Sequence, residues 1–86
     1  MKKEMMIGRT YGSFTAKEQR QIDSMISGAY YGTVDGIDND RPSEIGEYQI
    51  TLDLNNGLSV AGTLSVSEDE VVEYINDNGI FYNPAE

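Results

Sequence analysis

The sequence predicts an α+β fold, a three-stranded antiparallel sheet with two helices in the order helix-strand-strand-strand-helix, and three observations carry that expectation. Two runs of alternating apolar and polar residues flank Asn55-Asn56-Gly57, two segments open with helix-capping motifs, and the elements do not alternate as βαβ units require. With 86 residues, the chain is sized for one domain, 1–86, built on a single modest core.

The first helix is expected from about Ala16 to Ser27. Thr15-Ala16-Lys17-Glu18 has capping-box spacing: the Thr15 hydroxyl accepts from the Glu18 amide while the Glu18 carboxylate accepts from the Thr15 amide. Ile22, Met25 and Ile26 give this helix a narrow apolar stripe, and Gly28 supplies its stop. Ala29-Tyr30-Tyr31-Gly32-Thr33-Val34 reads as the first strand. Residues 35–46 then carry two glycines, one proline and several short acids, the composition of a long acidic loop.

The next two strands have a register that can be derived. Tyr48, Ile50, Leu52 and Leu54 alternate with polar residues, as do Leu58, Val60, Gly62, Leu64 and Val66 with Ser59, Ala61, Thr63 and Ser65. A two-residue turn at Asn56-Gly57 would set each apolar residue opposite a polar one. Placing Asn55, Asn56 and Gly57 together in the loop, with Gly57 left-handed, pairs Leu54 with Leu58, Leu52 with Val60, Ile50 with Gly62 and Tyr48 with Leu64. The longer loop is therefore predicted.

Ser67-Glu68-Asp69-Glu70 repeats the capping spacing, so a second helix is expected from Glu68 to Asn78, with Val71, Val72 and Ile75 facing the core and Gly79 as its stop. Ile80, Phe81 and Tyr82 are apolar enough to tuck against the body. Met5-Met6-Ile7 is apolar enough to add an N-terminal edge strand; otherwise 1–12 and 83–86 are candidate flexible ends.

Charge is distributed unequally along the chain. The first twenty residues hold five cations and two acids, 5 − 2 = +3, and the rest hold Arg41 against thirteen acids, 1 − 13 = −12, for a net −9. No cation follows Arg41. A field of that sign selects cationic partners and repels nucleic acid and anionic membrane. The chain has no cysteine and no histidine, so thiolate metal sites, disulfides and the commonest general base are all excluded. Met1-Lys2-Lys3 begins as a signal peptide does, but the apolar run Met5-Met6-Ile7 falls far short of an h-region and no stretch approaches a membrane span, so a cytoplasmic protein is expected.

Asp38-Asn39-Asp40-Arg41-Pro42-Ser43-Glu44 resembles a calcium loop only loosely, because Pro42 stands where a third oxygen ligand belongs and the later glycine and acid are missing. It reads as a solvated loop; no metal or cofactor is expected. No glycine-rich phosphate loop follows a strand, and no nucleophile elbow is present, so an enzyme ranks last. Asp69, Glu73 and Asp77 would form one unrelieved stripe on the second helix, with Glu70 and Tyr74 beside it. Glu68, Asp69 and Glu70 also suit the helix N-terminal dipole, which is the plain reading of those three. Helical spacing puts one charge about every 6 Å, against about 1.7 Å of axis in duplex DNA, so imitation of nucleic acid needs several elements together. The candidate partner-binding set is accordingly Asp35, Asp38, Asp40, Glu44, Glu47, Asp53, Asp69, Glu70, Glu73, Asp77 and Tyr74. Tyrosines such as Tyr11, Tyr30, Tyr31, Tyr74 and Tyr82 serve either as interface anchors or as completion of a core that has no tryptophan.

In size, acidity, lack of Cys and His and α+β layout, the chain resembles the small acidic inhibitors of bacteriophages and mobile elements, including anti-CRISPR proteins and other DNA mimics. That resemblance lies in overall character and not in a residue motif. It implies a non-enzymatic protein, acting in the host cytoplasm, that occupies the basic nucleic-acid-binding surface of a host enzyme such as a nuclease or CRISPR effector. The alternative is a small adaptor or antitoxin-like module that uses its tyrosines or an open sheet edge, with acidity serving solubility.

Overall fold

A computed structural model describes residues 1–32 and 40–85. Helix α1 spans Ala16–Asp23 and is followed by four strands, β1 Ile26–Tyr30, β2 Gly46–Leu54, β3 Ser59–Val66 and β4 Val71–Ile75. They form one antiparallel sheet in the order β1-β2-β3-β4, curled into a half-barrel. The predicted three-stranded sheet with two helices is thus corrected: among the described residues there is one α-helix, at the N-terminal side, and a fourth strand stands where the second helix was expected.

The error and its cause are local. Ser67 Oγ does accept from the Glu70 amide at 3.2 Å, the bond a helix N-cap would make, but the Ser67 amide also donates to the Glu70 carbonyl at 2.9 Å and closes a tight turn. Val71-Val72-Glu73-Tyr74-Ile75 then favours extended chain, being β-branched or aromatic at four of five positions. It pairs with β3, whose outward N–H and C=O groups would otherwise lack partners. As a helix the same segment would align Asp69, Glu73 and Asp77 without a cation between them. Of its predicted core face only Ile75 is buried, whereas Val71 and Val72 are exposed.

α1 begins as expected, with Glu18 N donating to Thr15 Oγ1 at 3.2 Å and Thr15 N to Glu18 Oε1 at 2.9 Å. The bond from the Thr15 amide first, and then the Thr15 side chain, hold the Glu18 carboxyl below its usual range. The helix stops at Asp23, four residues before the predicted end, because Asn55 N takes the Met25 carbonyl at 2.8 Å and Ile26 pairs with Leu54. β1 therefore starts at Ile26, earlier than the predicted Ala29, with a bulge between Ile26 and Gly28. Thr33 and Val34, its predicted end, lie outside the described residues.

The β2–β3 hairpin has the derived register: Tyr48 faces Leu64, Ile50 faces Gly62, Leu52 faces Val60, and Leu54 N donates to Leu58 O at 2.8 Å. Gly57 has φ +92°, the left-handed conformation the three-residue loop requires. A β-branched side chain there is strained by about 1–2 kcal/mol. Gly57→Val is expected to lower the melting temperature by roughly 5–15 °C for a domain of this size. A calorimetric scan matching the parent would contradict the loop geometry.

The inner face of the curled sheet carries Ile50, Leu52, Leu54, Leu58, Val60, Leu64, Val66 and Ile75, all buried. Gly62 lies on this face between β2 and β4, and an added Cβ would stand 2.7 Å from Leu52 Cδ1 and 2.8 Å from the Tyr74 carbonyl oxygen. Met6, Tyr11, Phe14, Ile22 and Phe81 complete the core. Met5-Met6-Ile7 forms no edge strand. Lys3–Met5 is a 3-10 turn that lets Met6 become fully buried, and Ile7 makes a single bridge to Phe81. The N-terminal segment is tied down along 77–81 by Gly8 N to Phe81 O, Tyr11 N to Gly79 O and Gly12 N to Asp77 O, at 2.9, 2.9 and 2.7 Å.

Tyr11 Oη donates to Asp23 Oδ1 at 2.8 Å, fixing the N-terminal segment to α1. Burial, then this bond and the Asp23 and Asp77 charges, hold its phenol well above the usual tyrosine range. The neutral phenol's contribution to stability is complete below the ordinary tyrosine value of about 10 and is lost as pH rises through the raised folded value. Tyr11→Phe is expected to remove the most alkaline step of the ultraviolet phenolate titration; removal of its earliest step would contradict the burial.

Candidate functional interface

Sheet topology decides which of the predicted acids meet. Gly46, at the start of β2, pairs with Val66 at the end of β3, and Val66 pairs with Val71 at the start of β4. Glu44 and Glu47 therefore share one end of the sheet with the turn Glu68-Asp69-Glu70, and all five residues are exposed. None of their carboxylates makes a hydrogen bond or ion pair among the described residues: Glu70 enters the turn through its backbone, and Glu44 accepts from Tyr48 Oη through its carbonyl at 2.8 Å. Ile45, 66% exposed, and Val71, 44% exposed, lie among them.

The remaining predicted residues do not join that group. Asp53 is at the opposite end of β2 and accepts from Ser59 Oγ at 2.8 Å. Asp77 follows β4 toward that same end, beside Gly12. Asp40 is exposed on the chain approaching β2. Asp35 and Asp38 lie outside the described residues. Tyr74, 43% exposed, faces outward from β4 with Val72.

Glu73 is placed differently from the predicted helical stripe. It sits half-buried on the inner face of β4, opposite Leu64, and accepts from Tyr31 Oη just beyond the end of β1. β1 and β4 are the two outer strands, so this bond spans the mouth of the curl. Arg41 Nη1 stands 3.9 Å from the same carboxylate. Burial first, and then the Glu73 bond and charge, raise the Tyr31 phenol, while Arg41 acts the other way. Asp69, Glu73 and Asp77, spaced about 6 Å apart on a helix, are about 13 Å apart along extended chain. The acidic stripe does not exist.

Lys3 and Arg9 lie apart from the acidic end. Lys3 Nζ is 3.9 Å from where a Gly57 Cβ would stand, at the β2–β3 loop, and the Arg9 guanidinium sits 3.9 Å above the Phe14 ring. Nine residues of β2 at about 3.3 Å each separate the two ends by roughly 30 Å, several Debye lengths at physiological salt. Neither Lys3 nor Arg9 is placed to screen the acidic end.

Sequence reasoning missed two participants. Glu68 was assigned to a helix dipole and left out of the contact set, and the Tyr31–Glu73–Arg41 contact depends on sheet curl that no local pattern reports. Among the described residues no group of acids is arranged to hold a metal ion, and no helix is long and apolar enough to cross a membrane. Comparison with protein-family models, with curated proteins and with solved structures finds no match.

Proposed function

We propose that this chain is a non-enzymatic inhibitor that binds the basic, nucleic-acid-binding surface of a host enzyme, such as a nuclease or CRISPR effector, in the cytoplasm. The observation that supports it most is the convergence of Glu44, Glu47, Glu68, Asp69 and Glu70 on one end of the sheet, with free carboxylates among the described residues. Folding gives no reason for them to gather there. Such a surface accelerates encounter with a basic groove and competes with phosphate for the same lysines and arginines. The contact is compact, an acidic end with Ile45 and Val71 available for desolvated packing, and not an elongated imitation of a duplex. Its test is association with a purified effector nuclease at increasing salt, where affinity falls steeply; salt-insensitive association would overturn it.

The adaptor reading keeps one supporting observation, the exposure of Val72 and Tyr74 on an outer strand. It predicts that truncating Tyr74 weakens binding more than removing charge does.

A further inference from the structure

We propose that β4 accepts an extended, cationic segment of a partner protein as an added fifth strand. Ser67 N donates to Glu70 O and Asn76 N to Ala61 O, which sets the alternation of the β3–β4 ladder. Val72 and Tyr74 therefore exchange bonds with Ser65 and Thr63, and the N–H and C=O groups of Val71, Glu73 and Ile75 point away from the sheet. Among the described residues none of those outward backbone groups has a hydrogen-bond partner. Beyond Ile75 the edge is covered, because Gly12 and Tyr11 bond to the Asp77 and Gly79 carbonyls. Among the described residues the N-terminal segment thus pairs past β4, and the backbone of Val71 and Glu73 stays unpaired, Ile75 being buried.

The usual protections of an edge are weak here. β4 has no proline, lysine or bulge, and Glu73, its inward charge, is already held by Tyr31 and Arg41. By contrast β1 carries a bulge between Ile26 and Gly28. Strand addition takes affinity from main-chain bonds and specificity from side chains at alternate positions.

Charge selects the occupant. Glu68, Asp69 and Glu70 flank one end of β4, Asp77 follows the other, and Glu73 lies between. Antiparallel pairing with β4 of a second copy sets Glu73 against Glu73, or, one step either way, Asp69 against Ile75 or Asp77 against Val71. Each arrangement opposes like charges or buries an acid on an apolar residue. A strand carrying lysine or arginine at both ends answers Glu68, Asp69 and Glu70 at one end and Asp77 at the other.

This inference rests on the acidic-surface reading above, which supplies the cationic partner. The test uses the intact protein and the capped peptide Lys-Val-Lys-Val-Lys-Val-Lys, with a backbone N-methylated version as its control. On adding the peptide, hydrogen exchange at the Val71 and Glu73 amides is expected to slow by roughly tenfold or more, with Val72 and Tyr74 already protected by β3. The N-methylated peptide is expected to give no such protection. Val71→Pro removes an outward donor that the β3 ladder does not use, and is expected to weaken the peptide by roughly five- to tenfold with β3–β4 intact. No association at millimolar peptide, association without protection of these amides, equal binding to Val71→Pro, or concentration-dependent protection of the protein alone would each overturn strand addition. Salt-sensitive binding without amide protection overturns strand addition and leaves the acidic-surface reading standing, whereas salt-insensitive binding overturns that reading itself.

Discussion

Phe81→Ala is expected to cost about 3–5 kcal/mol and to lower the melting temperature by roughly 15 °C or more. Phe81 is fully buried, meets Phe14 edge-on with ring centroids 5.7 Å apart, and lies 6.5 Å from the Tyr11 ring. It lies where the N-terminal segment meets the chain that bridges the start of β3, so the cavity left by truncation has walls from several segments that cannot all relax. Its backbone bonds, Gly8 N to Phe81 O and Phe81 N to Arg9 O, survive the substitution, so the loss reads side-chain packing. Neighbouring Ile80 is 53% exposed, and Ile80→Ala should stay within about 0.5 kcal/mol of the parent. Chemical denaturation of the two variants checks this. Equal stabilities would mean that the C-terminal segment is not part of the core.

Reversing the acidic end is expected to have the largest effect on function. Replacing Glu44, Glu47, Glu68, Asp69 and Glu70 by lysine adds ten charge units to the net −9, giving −9 + 10 = +1. All five side chains are exposed, and none makes a hydrogen bond among the described residues, so the fold should persist. Association with a basic partner should slow by about 10–1,000-fold, the range over which electrostatic steering operates. Reversing Asp53 and Asp77, at the other end of the molecule, should have much less effect. Stopped-flow association rates for both variants separate the acidic end from net charge alone.

How much of this was legible in the sequence depends on whether a signal was local. The β2–β3 register was, because two period-2 runs and one left-handed glycine leave a single arrangement that puts Leu54, Leu52 and Ile50 on one face. The α1 start was, because both halves of the Thr15–Glu18 box are made. Ser67–Glu70 was not. A serine hydroxyl accepting from the amide three residues on occurs equally in a helix cap and in a tight turn, and the choice was made elsewhere, by the backbone groups of β3 that needed a neighbour. Which of the candidate acids lie together turns on the same point. Asp69, Glu73 and Asp77 were grouped by a helical period that the chain does not adopt. Glu44 and Glu47 met Glu68, Asp69 and Glu70 through sheet topology, which pattern reading reaches only once the strand count is right.

The acids gathered at one end of the sheet are proposed as the contact surface. The most direct measurement is the affinity of the wild-type chain and of the five-residue lysine variant for a panel of purified nucleic-acid-binding effector nucleases, at low and at physiological salt. Nanomolar to micromolar binding of the wild type to at least one nuclease, weakened by salt and abolished in the variant, is the predicted result. Binding retained by the lysine variant, or no wild-type binding to any member at low salt, would contradict it.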